Sequence, residues 1–206
     1  MYLPKQFNHP EHARSIILEN PLASLVSNDD EGFPFISHIP IKLMPHATDP
    51  QQDMLLGHVA KGNPHAGFLH KRPEVLLTFM GPQAYMSPAV YPDLIRVPTW
   101  SYVAVHVKAE VRILEGEEAK DALLKQLIAD HEPAYAQQWR GLPETYTHPM
   151  MNAIVAFEMK LLKVQTKVKL NQHRPEAHAA MHAAYDAGNE SEKALALWMR
   201  RLGLVS

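Results

Sequence analysis

From Phe33 to Leu43 the chain alternates. Phe33, Phe35, Ser37, Ile39, Ile41 and Leu43 share one register, and Pro34, Ile36, His38, Pro40 and Lys42 the other. A period of two predicts a β-strand. Its prolines cannot donate to a ladder, so the strand belongs at an edge or a bulge. Further strand-like runs cover Leu22 to Ser27, Met54 to Val59, Glu74 to Met80 and Ile154 to Val168. The clearest covers Tyr102 to Leu114, with Val103, Val105, Val107, Ala109, Val111 and Ile113 on one face and His106, Lys108, Glu110 and Arg112 on the other. Asp29-Asp30-Glu31-Gly32 supplies a turn between the first two runs.

Helical periodicity lies outside these runs. A short helix is predicted after Asn8 or His9, with Pro10 in its first turn and its end at Asn20-Pro21. Ala119, Leu123, Leu124, Leu127 and Ile128 recur at helical spacing. A second short helix carries Tyr135, Trp139 and Leu142. Residues 176–187 read as a helix stopped by Gly188, and Asn189 with Glu192 forms a capping-box pattern opening a last helix through Leu202. About six strands with peripheral helices, and no βαβ alternation, predict a mainly β fold: an antiparallel barrel or sandwich. The change of character near position 170 divides the chain into residues 1–170 and a helical extension over 171–206.

The segment between the fourth and fifth strand runs holds Gly81-Pro82-Gln83-Ala84-Tyr85-Met86-Ser87-Pro88, then Tyr91, then Val97-Pro98-Thr99-Trp100-Ser101-Tyr102. A hairpin turn needs only a few Gly, Asn, Asp or Pro residues. The surplus of aromatics here offers stacking surface for a planar ring, or covers a barrel end.

Composition narrows the partners. Charged residues are 20% of the 206, and the formal net charge is −2, so no overall field draws the protein to nucleic acid or an anionic membrane. Cysteine is absent, which removes disulfides, thiol nucleophiles and Cys-ligated metals. Pro4, Lys5, Asn8, His9 and Glu11 interrupt any apolar leader, and no apolar run reaches the length of a membrane span, so a cytoplasmic protein is expected. His178 and His182 lie four apart on a predicted helix without a third ligand, and are read as helix-surface histidines rather than a metal pair.

Two further runs carry charge at strand ends. In Gly57-His58-Val59-Ala60-Lys61-Gly62-Asn63-Pro64 a strand runs into a turn with a cation. This suits an anion cradle, but on these residues alone a polar strand exit capped by Asn63 is the favoured reading. Lys169-Leu170-Asn171-Gln172-His173-Arg174-Pro175 follows the last strand, where Arg174 suits a phosphate or carboxylate, or simply solvates. His106, in the polar register of its strand, faces either a ligand or solvent.

Taken together these runs resemble the PaiB-type family of FMN-binding negative transcriptional regulators. The resemblance is carried by Met1-Tyr2-Leu3-Pro4 with Phe7, the run from Gly57 to Pro64, Gly81-Pro82 with Ala84-Tyr85 and Ser87-Pro88, Tyr91, Val97-Pro98-Thr99-Trp100 with Tyr102, His106, and Lys169-Leu170 with Gln172 and Arg174-Pro175. It implies an FMN-binding split β-barrel and a homodimer with FMN at the subunit interface. It implies that Ser37, His38 and Ile39 lie against the isoalloxazine. The segment His58, Val59, Ala60 and Lys61, with Asn63, would hold the phosphate. Thr99, Trp100 and Tyr102 would face it, and Lys169, Gln172 and Arg174 would close the site from the second subunit. The family pattern has Arg in place of Lys61 and Asn in place of Ser101 and His173. Lys61 keeps the charge and loses the bidentate fork.

Two functions follow from the resemblance. One is an FMN-binding regulator. Its last two helices carry only Lys193, Arg200 and Arg201 as cations, a thin footprint for direct DNA contact. The other is a flavin-dependent oxidoreductase or a haem-handling relative, for which His38, His58 and His106 are the proton-transfer candidates.

Overall fold

Strands form where the period-two pattern is strongest. The structure, a computed structural model, describes every residue from Met1 to Ser206 except Leu94. Its strands are β1 (Leu22–Asn28), β2 (Pro34–Pro40), β3 (Lys42–Met44), β4 (Met54–Ala60), β5 (Glu74–Met86), β6 (Thr99–Leu114) and β7 (Ile154–Lys169). They make one seven-stranded antiparallel sheet in the order β2-β1-β5-β6-β7-β4-β3. The chain groups into two compact units, each described here by itself.

One unit comprises Asn20–Phe79 and Val107–Val164, and all seven strands contribute to it. β2 and β3 are the two edges of the sheet order, yet only Ile41 separates them in the chain. The edges must therefore meet, and the sheet rolls into a barrel. The single strand expected over 33–43 is broken at Ile41, whose N–H bonds to the Pro21 carbonyl at 2.9 Å. Pro34 and Pro40 sit at the ends of β2, the edge positions expected of them. Leu25, Leu55, Leu77 and Phe157 fill the interior and are fully buried. Each contributes roughly 1.5–3 kcal/mol by leaving water. α3 (Glu117–His131) lays Leu123 and Leu127 on Leu56 and Ala156, the apolar face its spacing predicts. α4 (Tyr135–Gly141) follows it. α5 (Glu144–Asn152) is not foreshadowed by the sequence pattern: Pro149 lies inside it, and Met151 is its buried residue.

Gly57 sits where β4 passes closest to the core. A Cβ there would lie 2.8 Å from Ile41 Cδ1 and 3.0 Å from Phe157 Cε2. Gly57→Val is expected to cost about 1–3 kcal/mol of overpacking. At this chain length that lowers Tm by about 2–4 °C per kcal/mol. A thermal melt checks it, and Phe157→Leu in the same chain should recover part of the loss.

The other unit comprises Met1–Glu19, Met80–His106 and Gln165–Ser206. It holds α1 (Ala13–Glu19), α6 (His178–Asp186) and α7 (Glu190–Arg201). The Ser191 hydroxyl donates to the Gln83 carbonyl at 2.7 Å and accepts from its N–H at 2.9 Å. Tyr185 donates to the buried Ser101 hydroxyl at 2.8 Å, and Arg201 pairs with Glu19 at 2.9 Å. The capping box of Asn189 and Glu192 forms as expected.

Two expectations are corrected here. Gly81 to Met86 is strand, not loop: β5 runs on through Gly81-Pro82, and the connection begins at Ser87. The β1 ladder on β5 covers only Leu76–Thr78, so Pro82 removes no donor from it. His178 is buried, not a helix-surface residue, and its Nε2 meets the Asn171 carbonyl oxygen at 3.0 Å.

Candidate functional site

Strand ends carry the candidate residues, and they fall into one group in each unit. In the barrel unit β2 alternates, so Ser37 and Ile39 are buried while His38 is exposed and bonds to the Ser24 hydroxyl at 3.0 Å. The Ser37 hydroxyl accepts from Asn63 Nδ2 at 3.0 Å and meets His65 Nδ1 at 2.9 Å. His65 is fully buried, and its Nε2 meets the Ser27 hydroxyl at 3.0 Å. Asn63 Oδ1 in turn accepts from the His65 N–H at 3.0 Å, capping α2 (Pro64–Lys71). A closed hydrogen-bonded ring of Asn63, Ser37 and His65 thus fixes the turn that follows β4.

That turn presents Lys61. Its side chain is exposed, and its N–H bonds to the Ala153 carbonyl at 2.7 Å. Ala60 is also exposed, and Val59 is buried. His58, half-buried one turn of pleat earlier, has a buried Nδ1 without a partner among the described residues. Burial pushes the pKa of both His58 and His65 down, so both favour the neutral ring. A single cation beside an Asn-capped helix start suits one anionic group.

In the other unit β6 begins at Thr99 and β7 ends at Lys169, adjacent strands of the sheet. Lys169 Nζ donates to Thr99 Oγ1 at 2.5 Å and to the Trp100 carbonyl at 2.8 Å. The ammonium groups of Lys167 and Lys169 lie 5.2 and 5.9 Å from the centre of the Tyr102 ring. Burial, and then the charge of Lys167, lower the pKa of Lys169. His106 is also pushed down, by burial first and then by nearby positive charge. Trp100 is exposed, with Tyr85 edge-on to it at 6.4 Å.

A cavity of about 410 Å³ opens at these strand ends, and Tyr102 and His106 are not part of its wall. Thr99, Trp100, Lys169 and Arg174 all line it. Gln172 is occupied within its own loop, accepting from the Leu170 N–H at 2.9 Å and donating to the Val168 carbonyl at 2.5 Å. It shapes the loop that carries Asn171 and Arg174. The two runs singled out in the sequence, around 99–102 and 169–174, are therefore brought together by neighbouring strand ends.

Sequence reasoning missed His65, Asn171 and Arg96. His65 follows the Asn63-Pro64 helix start directly, a polar residue at a position that turns inward. Asn171 occupies the left-handed region at φ 62, which only local geometry reveals. Arg96 belongs to the loop before β6 and carries no motif signal.

Comparisons with known proteins bear on the family and the fold. Residues 1–163 match the family described as "Putative FMN-binding domain". The chain is 31% identical over 183 residues to the protease synthase and sporulation protein PAI 2 of Bacillus subtilis, covering 85% of this chain and 84% of the relative. Among solved structures it is similar to the flavocytochrome Anf3 of Azotobacter vinelandii, with a TM-score of 0.58 at 14% identity, covering 80% of this chain and 69% of that one. It is similar also to an FAD and haem binding protein of Mycobacterium smegmatis, with a TM-score of 0.58 at 15% identity, covering 79% and 72%. At such identities the two structures speak for the fold, the split barrel of flavin-binding proteins.

Proposed function

Because this chain belongs to the PaiB-type family of FMN-binding domains, we propose that it holds FMN by its phosphate at the turn after β4 and uses the bound flavin to regulate. The observation that carries the reading is the ring of Asn63, Ser37 and His65 beneath the exposed Lys61. It is a rigid, fully hydrogen-bonded support for one cation, which is what a phosphate monoester needs. The orphaned Nδ1 of His58 fits an acceptor-rich ligand in the same run. The backbone of Ser37, His38 and Ile39 would meet the isoalloxazine, since the alternating side chains of that strand cannot all face one ring. FMN, when bound, supplies one- and two-electron redox chemistry.

The homodimer completes the site in this proposal. Thr99, Trp100 and Tyr102, with Lys169, Gln172 and Arg174, would face the flavin from a second copy of the chain. Met80, Tyr85, Ile95, Val97 and Trp100 are exposed apolar residues of one unit, the kind of surface a second copy covers. Light scattering of the purified protein tests this: a monomer at micromolar concentration would contradict it.

Regulation is read as indirect. Each cation of α7 has a carboxylate near it: Lys193 with Glu190 at 3.3 Å, Arg200 with Asp186 at 3.9 Å, and Arg201 with Glu19 at 2.9 Å. Little charge is left over to neutralise DNA phosphates. The name of the Bacillus subtilis relative points to control of protease synthesis and sporulation in that organism. For this chain the redox state of bound FMN, passed to a partner, is the proposed signal. A gel shift with promoter DNA that weakens steeply with salt would overturn the indirect reading.

A further inference from the structure

We propose that His9, Glu11 and His12 bind a divalent transition-metal ion of the zinc class, with water completing its coordination. The site goes beyond the flavin reading. None of the three residues lines the cavity at the start of β6, and none belongs to the turn after β4.

Local geometry brings the three together. Pro10–His12 form a 3₁₀ turn, in which the His12 N–H donates to the His9 carbonyl at 3.1 Å. Side chains three apart eclipse in such a turn, so the two imidazoles rise on the same side. Their ring centres lie 6.0 Å apart. Glu11 Oε1 is shared between them, 3.0 Å from His9 Nδ1 and 3.9 Å from His12 Nε2. The three ligand atoms all lie within 4.8 Å of one another. With bonds of about 2.0–2.1 Å, the ligands of a tetrahedral ion stand roughly 3.3 Å apart, so small side-chain rotations close the set. Both rings are backed by the fold. The His9 N–H bonds to the Thr166 carbonyl at 3.2 Å, and the His12 ring stands edge-on to buried Trp198 at 5.2 Å. Both histidines are half-buried and Glu11 is exposed, which leaves an entry path and room for water on the ion.

The donor set selects the ion. Two imidazoles and one carboxylate suit Zn²⁺ and its transition-metal neighbours, whereas Mg²⁺ and Ca²⁺ prefer oxygen alone. A surface ion pair needs one histidine. A second imidazole directed at the same carboxylate oxygen is the arrangement a metal ion uses. Gln172 Nε2 lies 3.3 Å from His9 Nε2. Without metal that amide donates to Nε2, and the ring proton on Nδ1 faces Glu11. An ion at Nδ1 takes the place of this proton, which passes through solvent to Nε2. The amide then gives up its long contact and keeps its bond to the Val168 carbonyl at 2.5 Å. Arg201, whose charge reaches His12, is paired with Glu19 at 2.9 Å, which offsets its repulsion of a bound cation.

Calorimetric titration of the full chain, purified and freed of metal by a chelator, tests the proposal with zinc chloride and with magnesium chloride. Saturable binding of a single zinc ion per chain at about micromolar affinity or tighter is expected, and no binding of magnesium. His12→Phe keeps an aromatic ring on Trp198 and removes one ligand. Glu11→Gln changes an exposed side chain and removes the anion. Each should weaken zinc about tenfold or more, since even the loss of an outer partner of a metal ligand costs that much. His182→Ala, on α6, should leave zinc affinity unchanged. No saturable zinc binding, equal binding of magnesium, full zinc affinity in both variants, or loss of zinc in His182→Ala alone overturns the proposal. The titration reads zinc and not FMN, so its failure leaves the flavin reading as it stands.

Discussion

Lys61→Glu is expected to weaken FMN binding by about two orders of magnitude and to leave the melting temperature of the apoprotein nearly unchanged. The physical basis is the contrast between the two states. A hydrogen bond to a charged group is worth about 1.5–3 kcal/mol, and reversal of the charge adds repulsion. In the absence of cofactor the Lys61 side chain is exposed, and its structural contribution is a backbone bond to Ala153 that the substitution keeps. Exposed substitutions of this kind usually shift stability by less than about 0.5 kcal/mol. Lys61→Arg should tighten binding, since the guanidinium fork matches a phosphate. Flavin fluorescence titration and a thermal melt of the same samples check both. Equal losses of affinity and stability would assign Lys61 a structural role.

The second large effect is expected at His65. His65→Leu leaves the hydroxyls of Ser27 and Ser37 without their buried ring partners. At about 1–3 kcal/mol for each orphaned group the loss is roughly 2–6 kcal/mol. That is a fall in Tm of roughly 5–20 °C for a chain of this size. α2 itself should persist, because its cap is Asn63 Oδ1 accepting from the backbone N–H of residue 65, which leucine retains. FMN affinity should fall as well, since Ser37, which accepts from Asn63 in the turn that presents Lys61, loses the ring that anchors it.

The pH dependence distinguishes this role from plain packing. Burial lowers the pKa of His65 in the folded state below its unfolded value near 6.5. The unfolded chain therefore binds the proton more readily. The stability due to neutral His65 is fully present above about pH 6.5 and is lost as pH falls through that value toward the lower folded pKa. The Tm gap between wild type and His65→Leu should shrink from pH 8 to pH 5. His12, His58 and His106 shift in the same direction and keep some acid sensitivity in the variant. A gap that stays constant across this range would show that protonation of His65 plays no part.

Much of this architecture is legible in the amino-acid order. The alternation from Val103 to Ile113 and the capping box at Asn189 are local signals, and both elements formed as read. The prolines of β2 marked an edge strand, and the strand lies at an edge. What the sequence hides is long-range. Gly81-Pro82 carries turn chemistry, yet it lies within β5, beyond the stretch that pairs with β1. His65 looks like any polar residue at a helix start until β1 and β2 bring Ser27 and Ser37 to its two nitrogens. Asn171 shows its importance only through a left-handed backbone and an amide left half-bonded by Tyr91. Gln172 carries its motif openly, but that its amide also bonds the backbone of its own loop at Leu170 and Val168 shows only in the structure.

The central claim is that the β4 turn recognises the phosphate of FMN. Parallel fluorescence titrations of the apoprotein with FMN and with riboflavin test it most directly, since the two differ only by that phosphate. Saturable binding of FMN, with riboflavin bound about a hundredfold more weakly and the difference erased in Lys61→Glu, is the result predicted. Equal affinity for the two flavins, or no saturable binding of FMN, would contradict it.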